Sequence, residues 1–462
     1  MKTTNNLNQH KVSGSYKDSS GHVFFHDGIY YRQINKAYQS HYDRLINSGL
    51  YEKLTSLSLL IPHHEVNFVT NDLLAYKFIK PQQMPFISYP YEWSFSQLKD
   101  AALLTLEIQK IALTYKMILK DASAFNIQFL QGKPVLIDTL SFEIYKPGQA
   151  WTAYKQFCEH FLVPLTLAVY KNSQLLKLLS VFIDGIPLVL ATKIIPFHAY
   201  LKVPLFFHIF MHSLSQKQFK GEVNKATKAN VSQMGLLGII DNLHYAVQSL
   251  RNKQIKTTWS DYYDTSNYTK SSFNDKKRLL TAFLNICKPN KILDIGANTG
   301  EFSLLAAKKD IDVIAVDSDS QVINQLYNHC KKNNITNVLP LCIDITNPTP
   351  GIGWQNTERL SFLNRVPKHT VFALALIHHL FVTYNLPFDY LCDFFQQISK
   401  WLIIEFVPKT DPQFQKLIGL RTDDFSNYSQ ENFEKSFKKY FTIEKIKPIR
   451  DTKRLLYLMK KK

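Results

Sequence analysis

The sequence predicts two folding units of mixed class, an α+β unit followed by an α/β unit built on a mainly parallel sheet. Three observations lead there. The chain has 462 residues, about twice the size of one sheet domain of this kind, so a second core is needed. In the C-terminal half, short apolar runs alternate with helical stretches, the pattern of a doubly wound sheet. Finally, at Lys291–Ser303 a buried strand runs straight into a turn bearing Gly296 and Gly300, and then into a helix.

From the N-terminus, His22–Arg32 reads as a hairpin, Tyr38–Leu60 as helical, Leu73–Ile79 as a strand, and Ser94–Met117 as a long helix. That helix leads into a loop holding Asp121 and Asn126, and a short apolar strand then ends at Asp138. Residues 179–214 are strongly apolar. Asp184, Gly185, Pro187, Lys193, Pro196, Lys202 and Pro204 interrupt them before a membrane-spanning length is reached, so buried helices are expected. The units are placed at 1–216 and 257–462, with 217–256 as a polar, basic connection.

In the second unit, each early strand is expected to deliver a polar group at its carboxyl edge. Gly296 and Gly300 remove side chains where backbone approaches a ligand or turns sharply, and Asn298 between them tolerates a left-handed conformation. Val313–Val316 leads to Asp317, about 20 residues on, where a βαβ unit places the acid that meets ribose hydroxyls. Val338–Ile343 leads to Asp344, and Thr370–Ile377 to His378 and His379. Trp401–Val407 reads as a fifth strand ahead of a hairpin formed by Phe441–Ile446 and Arg454–Met459.

This ordered set resembles the class I S-adenosylmethionine (SAM)-dependent methyltransferases over about residues 257–462. The resemblance implies a Rossmann-like seven-stranded methyltransferase sheet closed by an antiparallel pair. It implies that Asp294, Gly296, Asn298 and Gly300 hold the methionine end of SAM, Asp317 the ribose and Asp344 the adenine amine. A dehydrogenase would have a tighter G-x-G-x-x-G turn, which is missing. Asp121, Asn126 and Asp138 resemble the catalytic loop and metal-binding aspartate of protein-kinase-like folds, which implies a possible ATP and magnesium site in an N-terminal α+β kinase-like domain. A glycine-rich phosphate loop, a Val-Ala-Ile-Lys strand and the Phe-Gly after the last aspartate are missing, so the phosphate clamp is incomplete. The whole chain is also similar to a group of long bacterial, nodulation-protein-like methyltransferases, through segments such as Tyr89–Phe95, Gly353-Trp354, Glu358-Arg359 and Glu405–Pro408.

Methyl transfer needs an aligned nucleophile and, for a hydroxyl, a base. His378 and His379 stand where the methyl is expected to point, and Glu405 ends the next strand; these three are the candidate catalytic residues. The fourth strand lacks the Asn/Asp-Pro-Pro-Tyr that holds an exocyclic amine, which lowers the weight of base N-methylation. O-methylation of a small molecule, a sugar or secondary metabolite, is the leading expectation. The alternatives are an RNA or protein methyltransferase guided by the basic connection, or a bifunctional or pseudokinase-regulated enzyme.

Composition bounds the partners. The net charge of +18 comes mainly from lysines spread along the chain without an arginine-rich tract, so a solvated basic surface is expected ahead of an RNA or membrane partner. The five cysteines form no C-x-x-C pair or zinc ligand set, and the first residues lack the apolar core of a signal peptide. A cytoplasmic protein is expected, with its oligomeric state open.

Overall fold

The computed structural model describes residues 10–218, 230–252, 269–366, 368–419 and 424–462. The chain divides into two compact units: Met1–Lys253 together with Gly351–Leu360, and Gln254–Pro350 together with Ser361–Lys462. The aromatic residues Trp259, Tyr262, Tyr263 and Tyr268 and the basic residues Lys220, Lys225 and Lys228 lie outside the described residues.

The first unit is α+β. Its antiparallel sheet runs β1-β2-β3-β5-β4, from β1 (His10–Lys11), β2 (Gly21–His26), β3 (Ile29–Asn35), β4 (His63–Val66) and β5 (Ala75–Pro81). The predicted hairpin is β2–β3. The helical stretch after it is two helices, Gln39–Asn47 and Leu50–Ser56, broken at Gly49, whose φ of 81° ends one and starts the next. β4 has the sequence His-His-Glu-Val, too short and polar to announce a strand. The long helix Phe95–Thr114 is opened by a capping box in which Ser94 accepts from Gln97 N–H and Gln97 reaches back to Ser94. Two small two-stranded sheets follow. β6 (Met117–Leu119) pairs with β9 (Phe142–Ile144), and β7 (Ile127–Leu130) with β8 (Lys133–Leu136).

Within the segment read as a connection, Gln233–Ser249 forms a helix of this unit and packs along Phe95–Thr114. Leu236, Ile240, Leu243 and Val247 share its buried face at helical spacing. Lys99 donates to the carbonyls of Gln248 and Leu250, at 2.9 and 2.7 Å, where the helix leaves its last carbonyls unpaired. Residues 351–360 also belong to this unit. Lys17 and Tyr16 bond the buried Glu358 carboxylate at 3.0 and 3.2 Å, Leu360 N–H donates to Tyr89 Oη, and the Arg359 guanidinium lies 4.6 Å from the Phe125 ring centre. Glu358 also faces Arg359 at 3.9 Å.

The apolar stretch 179–214 departs from expectation. It folds into short helical turns, and alongside buried Leu179, Leu188, Leu205 and Ile209 it leaves several large apolar side chains in solvent. No helix among the described residues is long and apolar enough to cross a membrane.

The second unit is one seven-stranded sheet in the order β12-β11-β10-β13-β14-β16-β15. The strands are β10 (Lys291–Ile295), β11 (Asp312–Asp317), β12 (Val338–Cys342), β13 (His369–Ala373), β14 (Ser399–Phe406), β15 (Phe441–Pro448) and β16 (Leu455–Lys461). β10 to β14 are parallel and β16 is antiparallel to both its neighbours. Burial on both faces explains the near-continuous apolar runs of the parallel strands. Pro340 sits in β12 at the sheet edge, where a missing N–H costs no ladder bond. The strand order reverses between β10 and β13, and such a switch point opens a crevice at the carboxyl ends of the two strands.

The fourth strand is shorter than the sequence suggested. It stops at Ala373, Ala375 takes a left-handed φ of 51°, and Ile377 begins the helix Ile377–Tyr384. His378 and His379 therefore lie in the first turn of a helix and do not end a strand. The apolar run Leu374–Ile377 masked this, because a buried helix start and a buried strand end look alike in sequence.

Candidate cofactor and transfer site

At the switch point the turn after β10 is held by main-chain bonds. Gly296 and Ala297 N–H donate to Val316 O at 2.9 and 3.0 Å, and Gly300 N–H donates to Ala297 O at 2.9 Å. Gly296, Asn298 and Gly300 have φ values of 75°, 51° and 86°, all in the left-handed region. A Cβ on Gly296 would lie 3.3 Å from Leu376, so the turn packs against the segment that follows β13.

Of the two aspartates at this edge, Asp294 is buried and Asp317 half-buried. Asp294 accepts a hydrogen bond from Ser303 Oγ at 2.6 Å. Asp317 accepts Asn298 N–H on Oδ2 at 2.9 Å and Asp319 N–H on Oδ1 at 3.0 Å. Burial pushes both carboxyls up to about 6, against the opposing pull of these bonds. Asp344 is half-buried just past β12, and its Oδ1 accepts from Thr346 N–H and Oγ1, forming a tight polar turn. A carboxylate has about four lone-pair sites, so Asp317 retains acceptor capacity after its two main-chain bonds.

The three candidate catalytic side chains sit in different surroundings. His378 is fully buried, and neither ring nitrogen has a hydrogen-bond partner among the described residues. Burial and then its neighbour His379 hold its pKa well below the usual imidazole value. His379 is less enclosed, its ring centre 4.1 Å from that of His378, and burial followed by the Arg454 charge lowers it to about 4. It is therefore an uncharged imidazole at neutral pH, and a weaker base than an exposed histidine. Glu405 is fully buried in an ionic chain: Lys276 Nζ at 2.5 Å from Oε2, Arg454 at 3.3 Å from Oε1, and Arg454 in turn 2.7 Å from Asp411. Lys276 also lies 4.4 Å from the Phe302 ring centre, and burial lowers its pKa while Glu405 resists that shift.

Lys276, Arg454 and Asp411 escaped the sequence reading. One signal was present. Lys276 shares the face of Phe273, Leu280, Phe283 and Leu284 on the helix Lys270–Cys287, and a lone lysine on an apolar stripe asks for a buried partner.

In the first unit Asp121, Asn126 and Asp138 are brought close. Burial raises the Asp121 carboxyl, the Asp138 charge adds to the rise, and a bond from Asn126 opposes it. Asp138 is already engaged. Arg32 of β3 contacts its Oδ1 at 2.5 Å, and Leu140 N–H donates to the same carboxylate at 2.8 Å. Among the described residues no group of three or more His, Cys, Asp or Glu side chains is arranged to hold a metal ion.

Residues 256–351 match the family of the tellurite resistance protein TehB. Over 458 residues, 97% of this chain and 95% of the relative, the sequence is 30% identical to nodulation protein NoeA of Rhizobium meliloti strain 1021. The chain belongs to the NoeA family. Among solved structures, the bifunctional kinase-methyltransferase WbdD is similar at TM-score 0.30 and 14% identity, covering 46% of this chain and 45% of that one. Magnesium protoporphyrin IX methyltransferase from Synechocystis PCC 6803, with bound SAH, is similar at TM-score 0.32 and 14% identity, over 44% and 92% of the two chains. With its parallel sheet, switch-point glycine turn and paired acids, this NoeA-family chain is a SAM-dependent methyltransferase.

Proposed function

We propose that the second unit binds SAM at the β10–β13 switch point and transfers its methyl group to an oxygen of a small molecule. The supporting observation is the locked pair of Asp317 with the Asn298 turn. It presents a carboxylate and left-handed backbone at the carboxyl edge of the sheet, where a nucleoside ligand fits. Asp317 would accept the ribose hydroxyls, Asp344 the adenine amine, and Asp294 with Gly296, Asn298 and Gly300 would cradle the methionine end.

The bound sulfonium supplies the methyl group, and the chain's own residues orient the acceptor and take its proton. His379 is the base we favour over His378, because it is the less enclosed of the two. Glu405 acts through its ion pairs, holding Arg454 and Lys276 beneath the site. Incubation with labelled SAM and a panel of sugars and phenolic metabolites, with the product bond identified by mass spectrometry, tests the acceptor. A methyl group found only on nitrogen would overturn the oxygen assignment.

For the first unit we infer a scaffold or acceptor-holding role. Arg32 already supplies the cation that an ATP-bound magnesium would bring to Asp138. A thermal shift by ATP with magnesium in the wild type, lost in Asp138→Ala, would contradict this and restore the nucleotide site of Asp121, Asn126 and Asp138.

A further inference from the structure

The continuous helical run Val203–Gln218 is apolar on two faces. Leu205 and Ile209 are buried on one side, while Val203, Phe207, Met211 and Leu214 face solvent at spacings of four, four and three residues. The helical turn just before it adds Phe197 and Leu201 to the exposed side. Phe197 is 78% exposed, Leu201 77%, Val203 63% and Phe207 56%. Single exposed apolar side chains are ordinary, but six on adjoining turns form a patch of the kind that marks an interaction surface.

The charge around the patch selects the partner. Lys171, Lys177, Lys193 and Lys202 are all exposed, and between His160 and Gln218 the sequence holds one acid, Asp184, which is ion-paired with Lys17 at 3.1 Å. Lys171, Lys193 and Lys202 adjoin the patch. The Tyr170 ring contacts that of His198, the Lys202 ammonium lies 6.0 Å from the centre of the Tyr170 ring, and the helix carrying Lys193 packs on the turn carrying Phe207. Aromatic and aliphatic side chains rimmed by lysine are what a surface of anionic lipid accepts, the apolar groups entering the headgroup boundary and the lysines meeting the lipid charge. A second copy of this chain suits the patch less, because a twofold contact would set the same lysines against each other.

We propose that the Phe197–Leu214 face of the first unit docks the protein onto an anionic membrane surface. The docking is peripheral and reversible.

The test is co-sedimentation of the full chain with vesicles of phosphatidylcholine, alone or mixed with phosphatidylglycerol. The wild type should pellet with the mixed vesicles, less so at high salt, and little with phosphatidylcholine alone. Phe197→Ser/Leu201→Ser and Lys193→Glu/Lys202→Glu should each keep the wild-type melting curve, since the four side chains are exposed, and should weaken retention by about tenfold or more. Wild type that does not pellet with anionic vesicles overturns the proposal, including the case where light scattering shows a dimer that the Phe197 and Leu201 changes dissociate. Unchanged retention of both double variants overturns it equally.

Discussion

Asp317 Oδ2 accepts the main-chain N–H of Asn298 at 2.9 Å, so the tip of β11 holds in place the turn that follows β10. A pH dependence follows from the carboxylate in that bond. Burial raises both Asp317 and Asp294 to about 6, and the ionised form is the better acceptor for ribose hydroxyls. SAM affinity should be flat above about pH 7 and should weaken, toward about tenfold per unit, as pH falls through 6. The effect on unliganded stability has the opposite sign. Folded values above the unfolded value of 3.8 give a stabilising contribution that is complete below 3.8 and is lost as pH rises through about 6. Calorimetric titration with SAM and urea unfolding, each across this range, separate the two trends.

Gly300→Ala should be damaging well beyond its size. With φ at 86°, a left-handed alanine costs roughly 1–2 kcal/mol, and its Cβ would strike the Leu326 side chain. Thermal unfolding should show a lower Tm, accompanied by weaker SAM binding because the turn must shift.

Glu405 anchors the buried ionic chain, and its removal should cost more than its pairing is worth. Glu405→Ala leaves Lys276 and Arg454 without their shared counter-charge and should destabilise the protein by about 3–5 kcal/mol. Lys276→Met/Glu405→Leu removes one cation along with the anion and should recover part of that loss. If the urea midpoint of Glu405→Ala matches the wild type, the ionic chain is not a structural support.

His379→Gln should lower turnover by about 100-fold or more while leaving SAM affinity within about twofold. The matching change His378→Gln should act mainly on stability, since His378 is fully buried. Single-turnover kinetics alongside calorimetry distinguish a lost base from a lost binding contact.

Most of the sheet could be read from sequence, because parallel strands buried on both faces are apolar runs and the glycine turn breaks them sharply. Asp294, Asp317 and Asp344 fall at the strand ends where the spacing put them. What escaped was set by tertiary contact. The left-handed Ala375 that ends β13 early has no local signature. The Arg32–Asp138 pair joins positions far apart in sequence, and no spacing rule links Lys276 to Glu405. Residues 351–360 look like a simple loop between strands, yet Glu358 bonds Tyr16 and Lys17 and Arg359 lies on Phe125 of the first unit. The exposed Phe197–Leu214 face was hidden for a related reason, since hydropathy cannot tell an apolar segment packed inside from one turned outward.

The central claim, a SAM pocket organised by Asp317, is tested most directly by isothermal calorimetry with SAM on the wild type and Asp317→Ala. The wild type should bind one equivalent per chain, and Asp317→Ala should lose about 100-fold in affinity through two charge-assisted hydrogen bonds to the ribose. No binding by the wild type, or equal binding by both proteins, would contradict it.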